Sequence, residues 1–201
     1  MSFREDLNRI IKSHNGYITS KDLFDKKIPS IYLSRYVKEK HLVHIVRGFY
    51  ADKSWIVDPY VIFQHIYPKY IYSYNSAVFL HGLGDLFPNY LEVTGPLNYR
   101  PLSKTNRGII SHTGTTKKIY NLGITEVKTN LGNTVKVYDQ EKTICDFIRY
   151  KDKIEAEVYA KALNAYAKSQ SKDINKLMYY AKQMGIENKV RNQMEVILNA
   201  N

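Results

Sequence analysis

The sequence predicts an α+β fold in two parts, and three observations support the prediction. Residues 16–51 have the pattern of two short helices followed by a tight ribbon. Residues 90–137 form short β-rich runs broken by Gly, Pro and Asn, and residues 139–199 have helical periodicity. Strands and helices that occur in separate runs are typical of α+β proteins. We therefore expect a domain at 1–58 and a second domain at 59–201, with a mixed sheet followed by helices.

The first predicted helix covers residues 2–15. Its apolar residues follow helical spacing along one side, at Phe3, Leu7, Ile10 and Ile11. Asn15-Gly16 ends it, because both residues accept the left-handed backbone that closes a helix. This helix supplies the support behind the two short helices that follow.

Two serine or threonine caps predict the next two helices. Thr19 precedes the first, and Asp22 is placed three residues on to reach back to the cap amide. Pro29 ends that helix, and Ser30 is expected to cap the second. In the second helix Leu33, Tyr36 and Val37 fall on one face.

A tight ribbon follows directly. Leu42–Val46 alternate as a strand, Arg47-Gly48 suit a turn, and Phe49-Tyr50 begin the return strand. Helix, turn, helix and ribbon in this order predict a winged helix-turn-helix. The second helix of such a motif enters the DNA major groove.

The stripe opposite the apolar face of the second helix predicts the DNA contacts. We expect Ser34 and Arg35 to approach base edges, and Lys38, Lys40 and Arg47 to contact phosphates. The full set of residues expected at this interface is Thr19, Ser30, Tyr32, Ser34, Arg35, Lys38, Lys40 and Arg47. The alternative is an ordinary solvated face, since surface cations are common in all soluble proteins.

Composition favours a nucleic-acid partner and a cytoplasmic protein. The 201 residues include 30 Lys and Arg against 19 Asp and Glu, a formal charge of +11, and such an excess favours polyanions. The single cysteine, Cys145, excludes an intrachain disulfide and a multi-cysteine zinc site. No apolar run approaches the roughly 20 residues that a membrane span needs, so we expect no membrane association.

At the boundary between the two domains stands Asp58-Pro59, a cap followed by a first-turn proline, which predicts a helix to about residue 67. A strand-like piece and a helix follow in 70–82. The predicted strands of the β-rich part are 91–94, 108–113, 123–129 and 134–138. Asp139 is expected to cap the helix that contains DQEKTICDFIR.

No motif predicts an enzyme, a cofactor or a metal site. The phosphate-binding loop patterns are absent, and the six histidines have no metal-ligand spacing. One weak alternative is a metal-dependent nuclease, because Glu126 and Lys128 share one face of a predicted strand and Asp85 lies upstream. An acid and a lysine two residues apart are common in strands, so Glu126 and Lys128 alone are weak evidence for a nuclease. We therefore expect no catalytic residues.

A stretch without acids forms a second candidate surface. No Asp or Glu occurs between Glu92 and Glu126, whereas five cations do. These are Arg100, Lys104, Arg107, Lys117 and Lys118. Unbalanced charge of one sign favours an anionic partner, and the alternative is again a set of solvated loops.

Three blocks of the chain resemble the AbiEi family of bacterial abortive-infection antitoxins. The first is GYITSKDL…SIYLSRYVKEKHLVHIVRGFY, the second YSYNSAVFLHGLGDLFP and the third YDQEKTICDFI. The third block is similar to the Asp-x-Glu-Arg/Lys-Thr-x-x-Asp helix of that family, here Asp139, Glu141, Lys142, Thr143 and Asp146. Lys142 stands where Arg is commoner, and the loops of the β-rich part match poorly.

The resemblance implies an antitoxin that is also a transcriptional autorepressor of a type IV toxin–antitoxin operon active in phage defence. The winged domain would bind inverted repeats in double-stranded DNA of its own promoter. The C-terminal domain would counteract a nucleotidyltransferase toxin without a stable complex, and Glu141, Lys142 and Asp146 join the basic stretch as its expected surface. The alternatives are a winged-helix regulator with a ligand-sensing or dimerisation domain and, third, the nuclease.

Overall fold

The computed structural model describes residues 3–84, 88–99, 102, 108–114 and 116–199. Contacts divide the chain into two compact units. The first comprises Met1–Ile66 with Lys128–Thr134, and the second comprises Tyr67–Val127 with Val135–Asn201. The predicted domain boundary after residue 58 stays a prediction.

The first unit contains four helices. They are α1 (Phe3–Ser13), α2 (Ser20–Asp25), α3 (Ile31–Lys38) and α4 (Pro59–Ile66). Leu7 and Ile11 lie one turn apart on α1 and are buried, as their spacing predicts. Phe3 is exposed instead, because it stands at the start of the helix, and its ring meets the edge of Tyr32 at 5.2 Å.

A three-stranded antiparallel sheet completes the winged motif. Its strands are β1 (Tyr17–Thr19), β2 (Leu42–Val46) and β3 (Phe49–Asp52), in the order β1-β3-β2. The predicted two-stranded ribbon is confirmed as β2 and β3, and β1 adds a third strand that was not predicted. β1 has only three residues, and its last residue, Thr19, is also the cap of α2. It is therefore too short for an alternating pattern to reveal it.

The second unit is built on a five-stranded mixed sheet. Its strands are β4 (Ile71–Tyr72), β5 (Leu91–Gly95), β6 (Ile109–Thr113), β7 (Ile124–Lys128) and β8 (Thr134–Tyr138), in the order β6-β5-β4-β8-β7. The pairs β5–β6 and β4–β8 are parallel, and β4–β5 is antiparallel. The predicted α+β class is confirmed.

Helices supply most of the core of the second unit. They are α5 (Tyr74–Leu80), α6 (Lys117–Asn121), α7 (Gln140–Arg149), α8 (Ala156–Lys168), α9 (Ile174–Gln183) and α10 (Glu187–Asn199), with a 3₁₀ turn at Lys151–Lys153. Side chains of α7, α8 and α9 form the centre of that core, where Ile144, Phe147, Leu163 and Leu177 are fully buried. The sequence missed α6, which lies within the part expected to be β-rich.

Cys145 lies buried in this core, and burial raises the pKa of its thiol. Of the helices that the structure describes, none combines the length and the apolar character needed to cross a bilayer.

Candidate nucleic-acid interface

The outer face of α3 presents the polar residues that the sequence selected. Ser34, Arg35 and Lys38 are exposed, while Leu33 and Tyr36 point into the first unit and are 3% and 5% exposed. The helical spacing thus predicts the two faces correctly, although the DNA contacts themselves stay predictions. Among the described residues, neither Arg35 nor Lys38 forms an ion pair, so both charges are available to a ligand.

Tyr32 supports the Arg35 side chain. The Arg35 guanidinium carbon lies 5.6 Å from the centroid of the Tyr32 ring, which is the range of a cation–π contact. Tyr32 is half-buried and packs edge-on against Phe3. Tyr32 therefore holds Arg35 along the exposed side of α3.

The two predicted caps have different outcomes. Thr19 forms a complete capping box, because its hydroxyl accepts from Asp22 N at 3.2 Å and the Asp22 carboxylate accepts from Thr19 N at 2.7 Å. Ser30 stands at the cap position of α3 but makes no side-chain cap hydrogen bond. Its backbone is already helical, with φ −60° and ψ −22°, whereas a capping side chain needs an extended residue. The predicted Ser30 cap was therefore wrong.

The ribbon turns at Arg47-Gly48, as predicted. Gly48 has φ +74°, a conformation that favours glycine. Its carbonyl accepts a hydrogen bond from Ser20 N at 2.8 Å, and the Arg47 carbonyl accepts one from His65 Nε2 at 3.0 Å. The turn is thus tied to its surroundings through the backbone, while the Arg47 side chain is exposed. Lys40, also exposed, lies in the turn after α3 with φ +62°.

The charged helix α7 does not form the exposed surface that we expected. Glu141, Lys142 and Asp146 are only 4%, 3% and 5% exposed. Lys142 Nζ binds both carboxylate oxygens of Asp146, at 2.7 and 2.6 Å, and lies 4.4 Å from the centroid of the Tyr138 ring. Asp146 is therefore paired with Lys142 from the preceding turn of α7.

The two other acids of this block join α7 to the helices after it. Asp139 caps α7 through Lys142 N at 2.8 Å, which confirms the prediction, and its second oxygen accepts from Tyr180 and Lys176 at 3.0 and 2.9 Å. Glu141 accepts from the Tyr166 hydroxyl at 3.2 Å. Partial burial lowers the pKa of Lys176, but its hydrogen bonds and charge interactions with both acids outweigh that effect and raise it.

The second and third sequence blocks that resemble AbiEi antitoxins, YSYNSAVFLHGLGDLFP and YDQEKTICDFI, contact each other in the second unit. His81 Nε2 donates a hydrogen bond to the backbone carbonyl of Tyr138 at 2.7 Å. The Ser76 hydroxyl accepts from Glu92 N at 2.8 Å, which fixes α5 to β5. These blocks therefore contribute packing and hydrogen bonds to the fold of this unit.

Only part of the predicted basic stretch can be placed. Lys117 and Lys118 are exposed at the start of α6, which Thr116 caps by accepting from Ile119 N at 3.1 Å. Among the described residues, neither lysine forms an ion pair. Arg100, Lys104 and Arg107 lie outside the described residues.

The nuclease alternative gains no support. Glu126 and Lys128 are exposed on β7, and Asp85 lies outside the described residues. Within the described ranges of the chain, no group of three or more His, Cys, Asp or Glu side chains could hold a metal ion.

Sequence reasoning missed a charged cavity in the second unit. It is lined by Glu92 of β5 and His112 of β6, whose side chains lie 2.8 Å apart, and by Lys142, Asp146 and Arg149 of α7. The one sequence signal for this cavity lies in the alternating pattern of β5 and β6. Glu92 is an acid at a buried strand position, which is unusual.

Comparison with known proteins bears on the first unit. Residues 5–51 match the family model described as "Transcriptional regulator, AbiEi antitoxin". The N-terminal segment matches the AbiEi family. The matched residues run from α1 into β3 and so include the capping box, α3 and the ribbon. The match confirms the resemblance to AbiEi antitoxins for residues 5–51, and the family is described as one of regulators.

Two further comparisons add little. The crystal structure of the RV2827C protein from Mycobacterium tuberculosis is similar with a TM-score of 0.47 at 10% identity, over 96% of this chain and 80% of that chain. A similarity at that level supports no inference about function. The comparison with curated proteins gives no significant match.

Proposed function

We propose that this chain is a cytoplasmic antitoxin and the transcriptional autorepressor of its own bacterial toxin–antitoxin operon. The first unit binds inverted repeats in promoter DNA through α3 and the Arg47 turn. The second unit counteracts a nucleotidyltransferase toxin without forming a stable complex with it. The chain acts by binding and not as an enzyme.

The observation that carries the DNA-binding proposal is the outer face of α3 within the AbiEi-matched segment. An α-helix fits the major groove, and an Arg there can bond two acceptors of one guanine. Arg35 is exposed, is held along the helix by Tyr32, and has no ion pair among the described residues. Lys38 lies one turn further on the same side, where a cation can reach the phosphate backbone.

The antitoxin proposal draws support from the AbiEi match and from the exposed charge on α6. Lys117 and Lys118 form no ion pair with any residue that the structure describes, and an anionic partner would neutralise their positive charge. The buried block at Glu141, Lys142 and Asp146 has a structural role, so its substitution tests folding before it tests antitoxicity.

Two experiments test the proposal. Binding of the full chain to duplex DNA from upstream of its own gene, against a shuffled duplex of equal length, tests the repressor part. Co-expression of the neighbouring gene with and without this one, scored by growth, tests the antitoxin part. Growth that the chain fails to restore, with folded protein present, contradicts the antitoxin proposal.

A matched pair of variants then locates the antitoxin surface. We expect K117Q/K118Q to weaken protection while the variant keeps its thermal stability, and K26Q/K27Q, two exposed lysines after α2, to protect like the unmodified chain. Equal protection by both double variants excludes the α6 lysines from the activity.

A further inference from the structure

The cavity of the second unit has a size suited to a small ligand. Its volume is about 230 Å³, and residues of β5, β6, α6 and α7 line it. Pockets for drug-sized ligands span roughly 300–1,000 Å³. The cavity is smaller than these pockets, so it can enclose only part of a ligand as large as a nucleotide.

Both carboxylates in the cavity already have partners. Glu92 lies 2.8 Å from His112 Nε2 through one oxygen and accepts from Asn75 N at 3.1 Å through the other. Asp146 binds Lys142 Nζ with both oxygens. Lys142 therefore neutralises Asp146, and both oxygens of Glu92 are engaged in contacts within the protein.

Two further cations at the cavity are not neutralised. Arg149 and Lys153 line it, and within the part of the chain that the structure describes neither forms an ion pair. Both lie against one ring, since Arg149 Cζ and Lys153 Nζ are 5.5 and 5.4 Å from the centroid of Tyr150. The Arg149 guanidinium can donate hydrogen bonds to two oxygens, and the Lys153 ammonium is a compact charge beside it. Together they are suited to bind phosphate.

Aromatic rings form one wall of the same cavity. The Tyr74 ring lies 4.1 Å from the His112 ring at 36°, and 5.8 Å from the Tyr150 ring. Tyr74 has φ +47°, a left-handed conformation that is unfavourable for a residue with a side chain and is common at functional sites. Tyr74 is only 7% exposed and Tyr150 is half-buried, so they offer ring surface only toward the cavity that they line. Aromatic rings can stack on nucleobases without demanding one base.

We propose that this cavity binds one nucleotide, with its phosphate against Arg149 and Lys153 and its base against the wall of Tyr74 and Tyr150. A nucleotide combines in one small molecule the anion that the cations favour and the flat ring that the wall favours. The nucleotide is either free or the terminal unit of a single strand. Neither source requires the α3 face of the first unit.

Titration calorimetry with the full chain tests the site. The probes are the four nucleoside monophosphates, the corresponding nucleosides, inorganic phosphate, and a short single strand with a 5′-phosphate. We expect at least one monophosphate to bind about tenfold or more tightly than its nucleoside and than inorganic phosphate, since each of those lacks half of the recognised groups. Tighter binding of the strand than of the monophosphate identifies a chain end as the source.

Charge variants identify the cavity. R149Q and K153Q should each weaken binding by about tenfold, as expected when one charged hydrogen-bond donor is lost. K151Q is the matched control, because Lys151 lies between them in sequence but rests on the Tyr159 ring at 5.4 Å and does not line the cavity. R35A should bind nucleotides like the unmodified chain, which separates this site from the DNA-binding face.

Three results would overturn the proposal. The first is the absence of binding by every monophosphate and by the strand at millimolar concentration. The second is equal affinity for inorganic phosphate and for all monophosphates. The third is unchanged affinity in both R149Q and K153Q. If either variant loses its circular dichroism signal, the salt dependence of nucleotide binding by the unmodified chain tests the proposal instead. A phosphate held by two cations must bind more weakly as salt rises, so affinity that does not change with salt overturns the proposal.

Discussion

The side-chain amide of Asn133 donates a hydrogen bond to Asp58 Oδ2 at 2.8 Å, across 75 residues of sequence. The Thr129 hydroxyl donates to the same oxygen at 2.6 Å. The other oxygen of Asp58 accepts from Tyr60 N and Val61 N, at 3.0 and 3.4 Å. One buried carboxylate thus caps α4 and binds the 128–134 segment within the first unit.

We expect D58A to destabilise the first unit by about 2–4 kcal/mol. The substitution removes a helix cap and leaves the Asn133 and Thr129 donors without their acceptor, and these two losses add. Trp55 is the single tryptophan of the chain and packs on Phe49, so its fluorescence during urea unfolding reports on this unit.

The matched control for D58A is D25A, at an exposed acid that ends α2. Surface substitutions of this kind change stability by less than about 0.5 kcal/mol. A D58A unfolding curve that superimposes on that of D25A would show that the Asp58 network contributes nothing to stability.

The buried ion pair of α7 gives a second prediction. We expect K142M to destabilise the second unit by about 3–5 kcal/mol, because it leaves the Asp146 carboxylate buried and unpaired. The double variant K142M/D146L should be clearly more stable than K142M, since it removes both charges. Thermal unfolding followed by circular dichroism measures both.

Lys161 and Glu157 provide the control for that pair. They have the same four-residue spacing and lie 2.8 Å apart, but both are exposed on α8. K161M should cause no measurable loss, because exposed pairs are screened by water and salt. If K142M/D146L is no more stable than K142M, the cost lies in lost packing and not in the unpaired charge.

Local pattern predicts most of the helices and strands of this protein. Caps at Thr19, Asp58 and Asp139 are short-range signals, and each forms the hydrogen bonds that its sequence context predicts. Ser30 fails because its backbone conformation, which the residue type does not determine, directs the hydroxyl away from the free amides. Capping residues therefore locate helix starts better than they predict individual hydrogen bonds.

Long-range contacts explain what the sequence could not predict. The resemblance predicts Lys142 and Asp146 at a surface, but both are buried, which is rare for charged side chains. Their four-residue spacing was a usable signal of pairing, but their burial depends on packing of α7 against α8 and α9. The cavity likewise depends on β5 and β6, whose parallel pairing brings Glu92 beside His112.

The α3 face gives a third prediction, on DNA binding. R35A should reduce discrimination between promoter and shuffled duplex by about 1–3 kcal/mol, as expected for the loss of a base-reading arginine. K38A should instead weaken binding to both duplexes and lower the slope of log affinity against log salt by about one. Fluorescence anisotropy across a salt series measures both effects.

K12A is the control for these variants, because Lys12 is exposed on α1 and lies outside the proposed interface. It should leave promoter discrimination unchanged. If R35A discriminates between the two duplexes as well as K12A does, then the base-reading face of α3 has been assigned wrongly.

His81 makes the stability of the second unit depend on pH. Burial lowers the pKa of His81 from its ordinary 6.5, and the hydrogen bond to the Tyr138 carbonyl only partly opposes this. Well above pH 6.5 the imidazole is neutral in both the folded and the unfolded chain. As the pH falls below 6.5 the unfolded chain binds a proton that the folded chain resists, so stability is lost until the folded pKa is reached.

H81Q tests this dependence, because a glutamine amide can still donate to the Tyr138 carbonyl but does not titrate. We expect the stability advantage of the unmodified chain over H81Q to be smaller at about pH 5.5 than at about pH 7.5, by up to about 1.4 kcal/mol for each pH unit between the unfolded and folded pKa. H44Q is the matched control for replacing a histidine, since His44 is exposed on β2. An H81Q effect that does not change with pH would mean that His81 stabilises this unit by packing and hydrogen bonding alone.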